Sequence, residues 1–194
     1  MFAMDNGKLL KRVEEIEARE AIRDRLHLYC RGIDRREPEL IRSTFWSDSK
    51  VEYGIYSGNG IEFSNGISGW LNDAGLEMTT HLLGNVTIAV DGDAALCESY
   101  LYAYHRIRPD DGQPHDCLIG GRYHDRFERR GDVWRISFRR LVYDWFRDWS
   151  NSGDWSLGTL GLTQDNATLG KAASDVWPEL NAALRTQAAR SASD

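Results

Sequence analysis

The sequence is short of the residues and runs that announce several common functions. Only three cysteines occur in 194 residues. They are Cys30, Cys97 and Cys117, an odd number without a CxxC pair. That argues against a disulfide framework or a thiolate metal centre. The thiols read as small buried hydrophobes in a reduced, cytoplasmic protein. The five histidines, His27, His81, His105, His115 and His124, show no HxxxH spacing, no HExxH motif and no Cys/His cluster, so zinc loses its usual ligand pattern. No metal and no other cofactor is expected. No run approaches the ~18 apolar residues of a membrane span, and the opening MFAMDNGKLLKRVEEIE is charged too early and too often for a secretory signal. GxxxxGK[ST], GxGxxG after a strand and GxSxG are all missing, which withdraws the signals of nucleotide and hydrolase-elbow chemistry. Positive charge is also in deficit. With 24 Lys and Arg against 30 Asp and Glu, the formal net charge is −6, a poor balance for nucleic acid.

What is present is an ordinary globular composition, 41% hydrophobic and 28% charged, long enough to bury a core without staples. Aromatic residues are generous, with 7 Trp, 8 Tyr and 6 Phe. They can line a pocket for a flat or apolar ligand, or equally fill a core or an interface.

Helical periodicity opens the chain. Leu9, Val13 and Ile16, then after a drift in phase Ile22, Leu26, Tyr29 and Ile33, predict an amphipathic helix with these residues inward. Gly32 is placed to stop it, and Asp34 follows. A second helix is expected from Pro38, carrying Leu40, Ile41 and Phe45 inward. Residues 50–56 alternate as a short strand, and 65–75 read as a short helix. Period two then takes over, with strands at 80–90, 94–107, 117–129 and 132–145 separated by Gly- and Asp-bearing turns. Consecutive long strands predict an antiparallel meander. Helices first and an antiparallel sheet after make an α+β domain over 1–149. Residues 150–194 form a C-terminal extension, with a helix expected over 166–188, packed on the domain or on a neighbouring subunit.

Scattered acid–base residues are the remaining chemistry. Asp34 lies past an apolar helix face, and His81 opens an apolar strand. Imidazole is a competent base near neutral pH, its ordinary pKa being ~6.5. A carboxylate can hold its tautomer and stabilise the imidazolium that forms. Taken singly, His81 also reads as a satisfied half-buried histidine and Asp34 as a helix cap.

Four ordered pieces, R-L-x-x-Y-x-x-x-I-D (Arg25 to Asp34), L-x-R-S-x-F (Leu40 to Phe45), T-x-H-x-x-G-N (Thr79 to Asn85) and Y-x-D-x-F-E-R-R-x-x-x-W-R-I (Tyr123 to Ile136), resemble the SnoaL-like branch of the NTF2-like superfamily over roughly residues 12–146. The resemblance implies a cone in which a curved antiparallel sheet wraps the N-terminal helices around an open apolar pocket. It also implies a cofactor-independent lyase eliminating water, halide or formaldehyde from a small apolar, aromatic substrate. Its alternatives are an isomerase or cyclase using the same pocket, or a non-catalytic small subunit of an aromatic-ring dioxygenase.

In the resemblance, His81 matches the proton-abstracting His by its H-x-x-G-N context and Asp34 its orienting Asp. Tyr29 and Arg139 complete the implied catalytic set, Arg139 by stabilising a leaving anion; Tyr29 also reads as plain core and Arg139 as part of a solvated pair with Arg140. His105, Tyr53, Tyr123, Leu141, Tyr143 and Trp145 are the implied substrate contacts. Strand alternation sends Arg139, Leu141 and Tyr143 to one face. It sends Trp134, Ile136 and Phe138 to the outer face, where an apolar surface seeks a partner. That fits a homo-oligomer, a trimer ahead of a dimer.

Overall fold

A computed structural model of the chain describes residues 6–110, 112–150 and 177–191. The chain divides into two units, Met1–Ser152 and Gly153–Asp194. In the second, the described residues form one helix, α4 (Trp177–Ser191). The rest of the expected tail helix, and the Ser/Gly-rich stretch before it, lie outside the described residues.

The first unit opens with α1 (Asn6–Arg35), followed by α2 (Pro38–Arg42), β1 (Phe45–Glu52), β2 (Ser57–Asn59) and α3 (Gly60–Asp73). The long strands β3 (Leu76–Asp91), β4 (Ala94–Ile107), β5 (His115–Arg130) and β6 (Val133–Ser150) complete it. The sheet order is β2-β1-β6-β5-β4-β3. The meander from β3 to β6 is antiparallel, as alternation predicts. β1 joins β6 in parallel and β2 folds back on β1. A parallel partner so far along the chain leaves no local signal, because its register is set by a crossover and not by a turn.

α1 departs from expectation at both ends. Ile22, Leu26, Tyr29 and Ile33 are buried against the sheet, but Leu9, Val13 and Ile16 are 40%, 41% and 57% exposed. The helix also runs through Gly32 to Arg35, and Arg36 takes the left-handed turn at φ 56°. Gly32 serves a close approach: a Cβ there would lie 2.6 Å from Ile41 Cγ1, so the missing side chain lets α2 rest on α1.

The core lies between α1 and the inner sheet face and includes Phe45, Val51, Leu101, Phe127 and Ile136. Three strand irregularities decide which side chains join it. In β3 the pairing shifts between Gly84/Tyr100 and Thr87/Glu98, with Asn85 at φ 47°. His81 and Ile88 therefore share the inner face despite opposite parity. In β6 the pairing steps from Phe127/Ile136 to Arg126/Phe138, leaving Ser137 unpaired. Trp134 and Ile136, predicted outside, are consequently 4% and 0% exposed in the core, and only Phe138 keeps its outward place. A second step, from Gly121/Tyr143 to Gly120/Trp145, leaves Asp144 unpaired and turns Trp145 over.

Candidate functional site

Asp34 sits in the last turn of α1, one residue past the buried Ile33. β3 is the edge strand of the sheet, so half of its backbone N–H groups have no neighbouring strand to meet. Asp34 uses that edge. Its Oδ2 accepts the backbone N–H of His81 at 2.9 Å, and its Oδ1 lies 2.7 Å from His81 Nδ1. An ionised carboxylate only accepts, so Nδ1 carries the hydrogen and Nε2 holds the free lone pair. One carboxylate thus fixes both the strand and the ring, leaving His81 in the tautomer of a base. The His81 and Asp34 side chains are 9% and 14% exposed, nearly but not fully enclosed.

His105 completes this cluster. It stands on the inner face of β4 opposite Thr79 and Cys117, and its ring meets that of His81 edge-on at 5.7 Å between centroids. Among the described residues its Nδ1 is buried without a hydrogen-bond partner. Burial, reinforced by the neighbouring His81 charge, pushes the His105 pKa down to about 4. At neutral pH His105 is an uncharged imidazole, with one nitrogen donating and the other accepting. The two histidines therefore differ in kind. His81 has a carboxylate behind it; His105 lacks one, and burial keeps it uncharged.

The other expected residues form a second, sealed group. Arg139 is fully buried, and its Nε and Nη2 each donate to an Asp125 carboxylate oxygen at 2.7 Å. The guanidinium lies between the rings of Tyr29 and Tyr123, 4.2 and 4.1 Å from their centroids. Burial works against the charge, but the Asp125 carboxylate outweighs it and holds Arg139 protonated. Tyr29 Oη and Tyr53 Oη are 2.8 Å apart. Burial raises the Tyr29 phenol to about 12 and Tyr53 and Tyr123 well above the ordinary tyrosine value. Tyr29, Tyr53, Tyr123 and Arg139 are thus buried core residues. Asp125, which sequence reasoning missed, has a legible signal: it stands two residues after Tyr123 and shares its face.

Leu141 and Tyr143 keep the inward facing that alternation gave them. Leu141 packs against the core, and Tyr143 is 47% exposed while its hydroxyl donates to the Tyr53 carbonyl at 3.1 Å. Trp145 does not join them. It lies over Gly120, where a Cβ would come within 2.2 Å of its indole, and meets Tyr102 on the outer face. The outer face also bears an apolar groove of about 370 Å³ across β3 to β6, remote in register from His81. Cys30 and Cys97 are buried thiols with pKa values raised to about 12 by desolvation, and so are unreactive. Among the described residues, no group of three or more His, Cys, Asp or Glu is placed to hold a metal ion, and no helix is long and apolar enough to cross a membrane.

Residues 14–140 match the SnoaL-like domain family. An uncharacterized protein of Mycobacterium tuberculosis, Rv2910c, is 30% identical over 126 residues, 64% of this chain and 84% of that one. Among solved structures, the hexachlorocyclohexane dehydrochlorinase LinA-type3 of Novosphingobium barchaimii superposes with a TM-score of 0.65 at 20% identity, covering 72% of this chain and 94% of its own. A scytalone dehydratase-like protein of Novosphingobium aromaticivorans gives 0.58 at 21% identity, covering 77% and 97%. At these identities the superpositions establish the fold: a sheet wrapped on N-terminal helices, the NTF2-like cone.

Proposed function

The chain belongs to the SnoaL-like domain family, and on that footing we propose that it is a cofactor-independent lyase acting on a small, largely apolar, aromatic substrate. The observation that carries the reading is the double grip of Asp34 on His81, through ring and backbone together. In the proposed reaction His81 Nε2 takes a proton from a substrate carbon. The C–H electron pair becomes a new double bond as the bond from the adjacent carbon to the leaving group breaks. The leaving group departs with that bond's electrons, and a departing hydroxyl can collect the proton from the His81 imidazolium. Asp34 stabilises that imidazolium, and His105, uncharged, donates a hydrogen bond to a substrate oxygen. Positioned proton transfer of this kind contributes roughly 10²–10⁴-fold.

Elimination is the chemistry named for both superposed enzymes, a dehydrochlorinase and a dehydratase-like protein. The sealed Asp125–Arg139 pair moves the reading toward oxygen leaving groups. A guanidinium already neutralised by a buried carboxylate is ill suited to receive a free halide. Tyr143 and Leu141, on the inner face beyond the core, supply apolar contact for an aromatic ring.

The test is a panel of aromatic alcohols, aryl diols and aryl halides incubated with the protein in the presence of a chelator, with alkene, formaldehyde and halide measured separately. Turnover that disappears in both Asp34→Asn and His81→Ala supports the reading. Turnover surviving in His81→Ala removes the base. A product isomeric with the substrate and retaining its hydrogen label converts the lyase into an isomerase.

A further inference from the structure

Among the described residues, two non-glycine residues take a left-handed backbone, Arg36 at φ 56° and Asn85 at φ 47°. Both stand close in sequence to the Asp34–His81 pair, one just past Asp34 and the other just past His81. Asparagine enters this conformation readily, because its short side chain can bond locally. Arginine has no such ease. The turn at Arg36 also has the bonding that glycine ordinarily completes. Arg36 N–H donates to the Ile33 carbonyl at 3.2 Å, and Glu37 N–H to the Gly32 carbonyl at 2.9 Å. These are the paired bonds of a Schellman ending, whose left-handed residue is most often glycine. An arginine there carries backbone strain that a glycine would not.

What the arginine adds is its side chain. Its Nη1 donates to Asn72 Oδ1 and its Nη2 to the Leu76 carbonyl. Asn72 lies in the last turn of α3, and Leu76 is the first residue of β3. One half-buried guanidinium thus ties the end of α1 to the end of α3 and the start of β3. Leu76 offers its carbonyl because of a register step. Leu76 pairs with Ile107 and Met78 with Arg106, which leaves Glu77 as an extra residue, while His81 pairs with Ala103. Ile107 and Ala103 have like parity on β4, so Leu76 and His81 both turn their backbone groups to the free edge. The junction before Leu76 is itself fixed. Arg108 N–H donates to the Gly75 carbonyl at 2.7 Å, and a Cβ on Gly75 would lie 2.1 Å from the Arg108 carbonyl oxygen. β3 is therefore held at two points by the ending of α1: Leu76 by Arg36, and His81 by Asp34. One contact alone would leave the helix end free to pivot on the edge strand. Two contacts fix the approach of the carboxylate to the ring.

We propose that Arg36 is a positioning residue for the Asp34–His81 pair. By bracing the end of α1 against α3 and β3, it holds the Asp34 carboxylate on His81 Nδ1 and keeps Nε2 as the nitrogen with the free lone pair. The proposal rests on the reading of His81 as the base, and Arg36 acts only through Asp34. The strained turn is then the condition for the brace, since glycine would make the same turn and reach neither Asn72 nor Leu76.

Arg36→Gly in the full chain separates this role from simple support of the fold, because glycine relieves the left-handed turn while removing both side-chain bonds. The expected result is a melting temperature within a few degrees of the parent's. ¹⁵N NMR of the substrate-free protein should show the His81 ring populating both neutral tautomers in place of the single Nδ1–H form. On any substrate the parent eliminates, kcat should fall roughly 10–10²-fold with KM kept. Arg36→Lys, which retains a donor for the Leu76 carbonyl, should restore the single tautomer and most of kcat. A His81 tautomer in Arg36→Gly identical to the parent's overturns the proposal. So does a fall in kcat that only follows a fall in the folded fraction. Failure of the lyase reading is a separate outcome. The NMR measurement needs no substrate and tests the brace even where nothing is turned over. Turnover abolished by Asp34→Asn but indifferent to Arg36→Gly removes the brace and keeps the lyase.

Discussion

Two acid–base pairs lie inside the same cone. Asp34–His81 joins α1 to the edge strand and stays 9–14% exposed. Asp125–Arg139 joins β5 to β6 and has no exposure at all. Both have short, direct contacts, yet their chemistry is opposite. A group that exchanges protons must let its charge change, so one partner must titrate in the working range and one nitrogen must remain free. Asp34–His81 leaves the second imidazole nitrogen unengaged by the carboxylate. Asp125–Arg139 meets neither: guanidinium does not lose its proton, and two tyrosine rings cover its faces. Partial access, more than the presence of charge, separates the pair proposed to work from the structural one.

The largest expected effect is on the sealed pair. Arg139→Met leaves a buried, unpaired Asp125 carboxylate, and should cost about 3–5 kcal/mol in chemical denaturation. Arg139→Met combined with Asp125→Leu should recover much of that loss, because no isolated charge then remains. The open pair should respond in the other currency. Asp34→Asn should lower elimination rates roughly 10²–10⁴-fold while changing stability by about 1 kcal/mol or less. ¹⁵N NMR should show His81 losing its single Nδ1–H tautomer.

His105 gives a pH signature between these extremes. Its folded pKa is about 4, below the ~6.5 of an unfolded histidine. Between these values the unfolded chain binds a proton that the folded chain refuses. The His105 contribution is therefore full above pH ~6.5 and is lost progressively as pH falls toward 4, by up to about 3 kcal/mol. His105→Gln should flatten this segment of a stability–pH curve. A curve unchanged by the substitution would mean that His105 charges in place. The smallest effect belongs to Tyr53→Phe. It removes one partner of the buried phenol pair and should cost about 1–2 kcal/mol in a melting series, with elimination rates kept.

Much of this arrangement was legible in the sequence, and what was not has specific causes. Period two gave the meander, and the family resemblance singled out His81, His105 and Tyr123, which share its inner face. The helical repeat from Ile22 to Ile33 marked the stretch that ends at Asp34. Alternation held from Arg139 to Tyr143, but the facing of β6 on either side was not recoverable, because Ser137 and Asp144 each add a residue without a residue-type signature. Trp134 and Ile136 therefore moved inward and Trp145 outward. The depth of Arg139 was equally hidden. Alternation reports which face a side chain takes and is silent on how far it lies from solvent, a distance set here by Tyr29 and Tyr123 from other elements. Leu9, Val13 and Ile16 show the complementary limit: amphipathic spacing identifies an apolar stripe without saying whose surface covers it.

The two unpaired residues of β6 also dictate where this strand tolerates a change of length. Removing Ser137 closes a bulge and leaves Ile136 opposite Phe127 and Arg139 opposite Asp125, since those partners already skip it. Removing Asp144 likewise keeps Tyr143 opposite Gly121 and Trp145 opposite Gly120, at the cost of the Arg122–Asp144 bridge. A deletion at Val142, between them, has no slack to absorb it and would exchange the inner and outer side chains on one side of the cut. Single-residue gaps among homologous strands should therefore gather at Ser137 and Asp144. Deletion scanning of β6 should find two permissive notches in an otherwise intolerant segment.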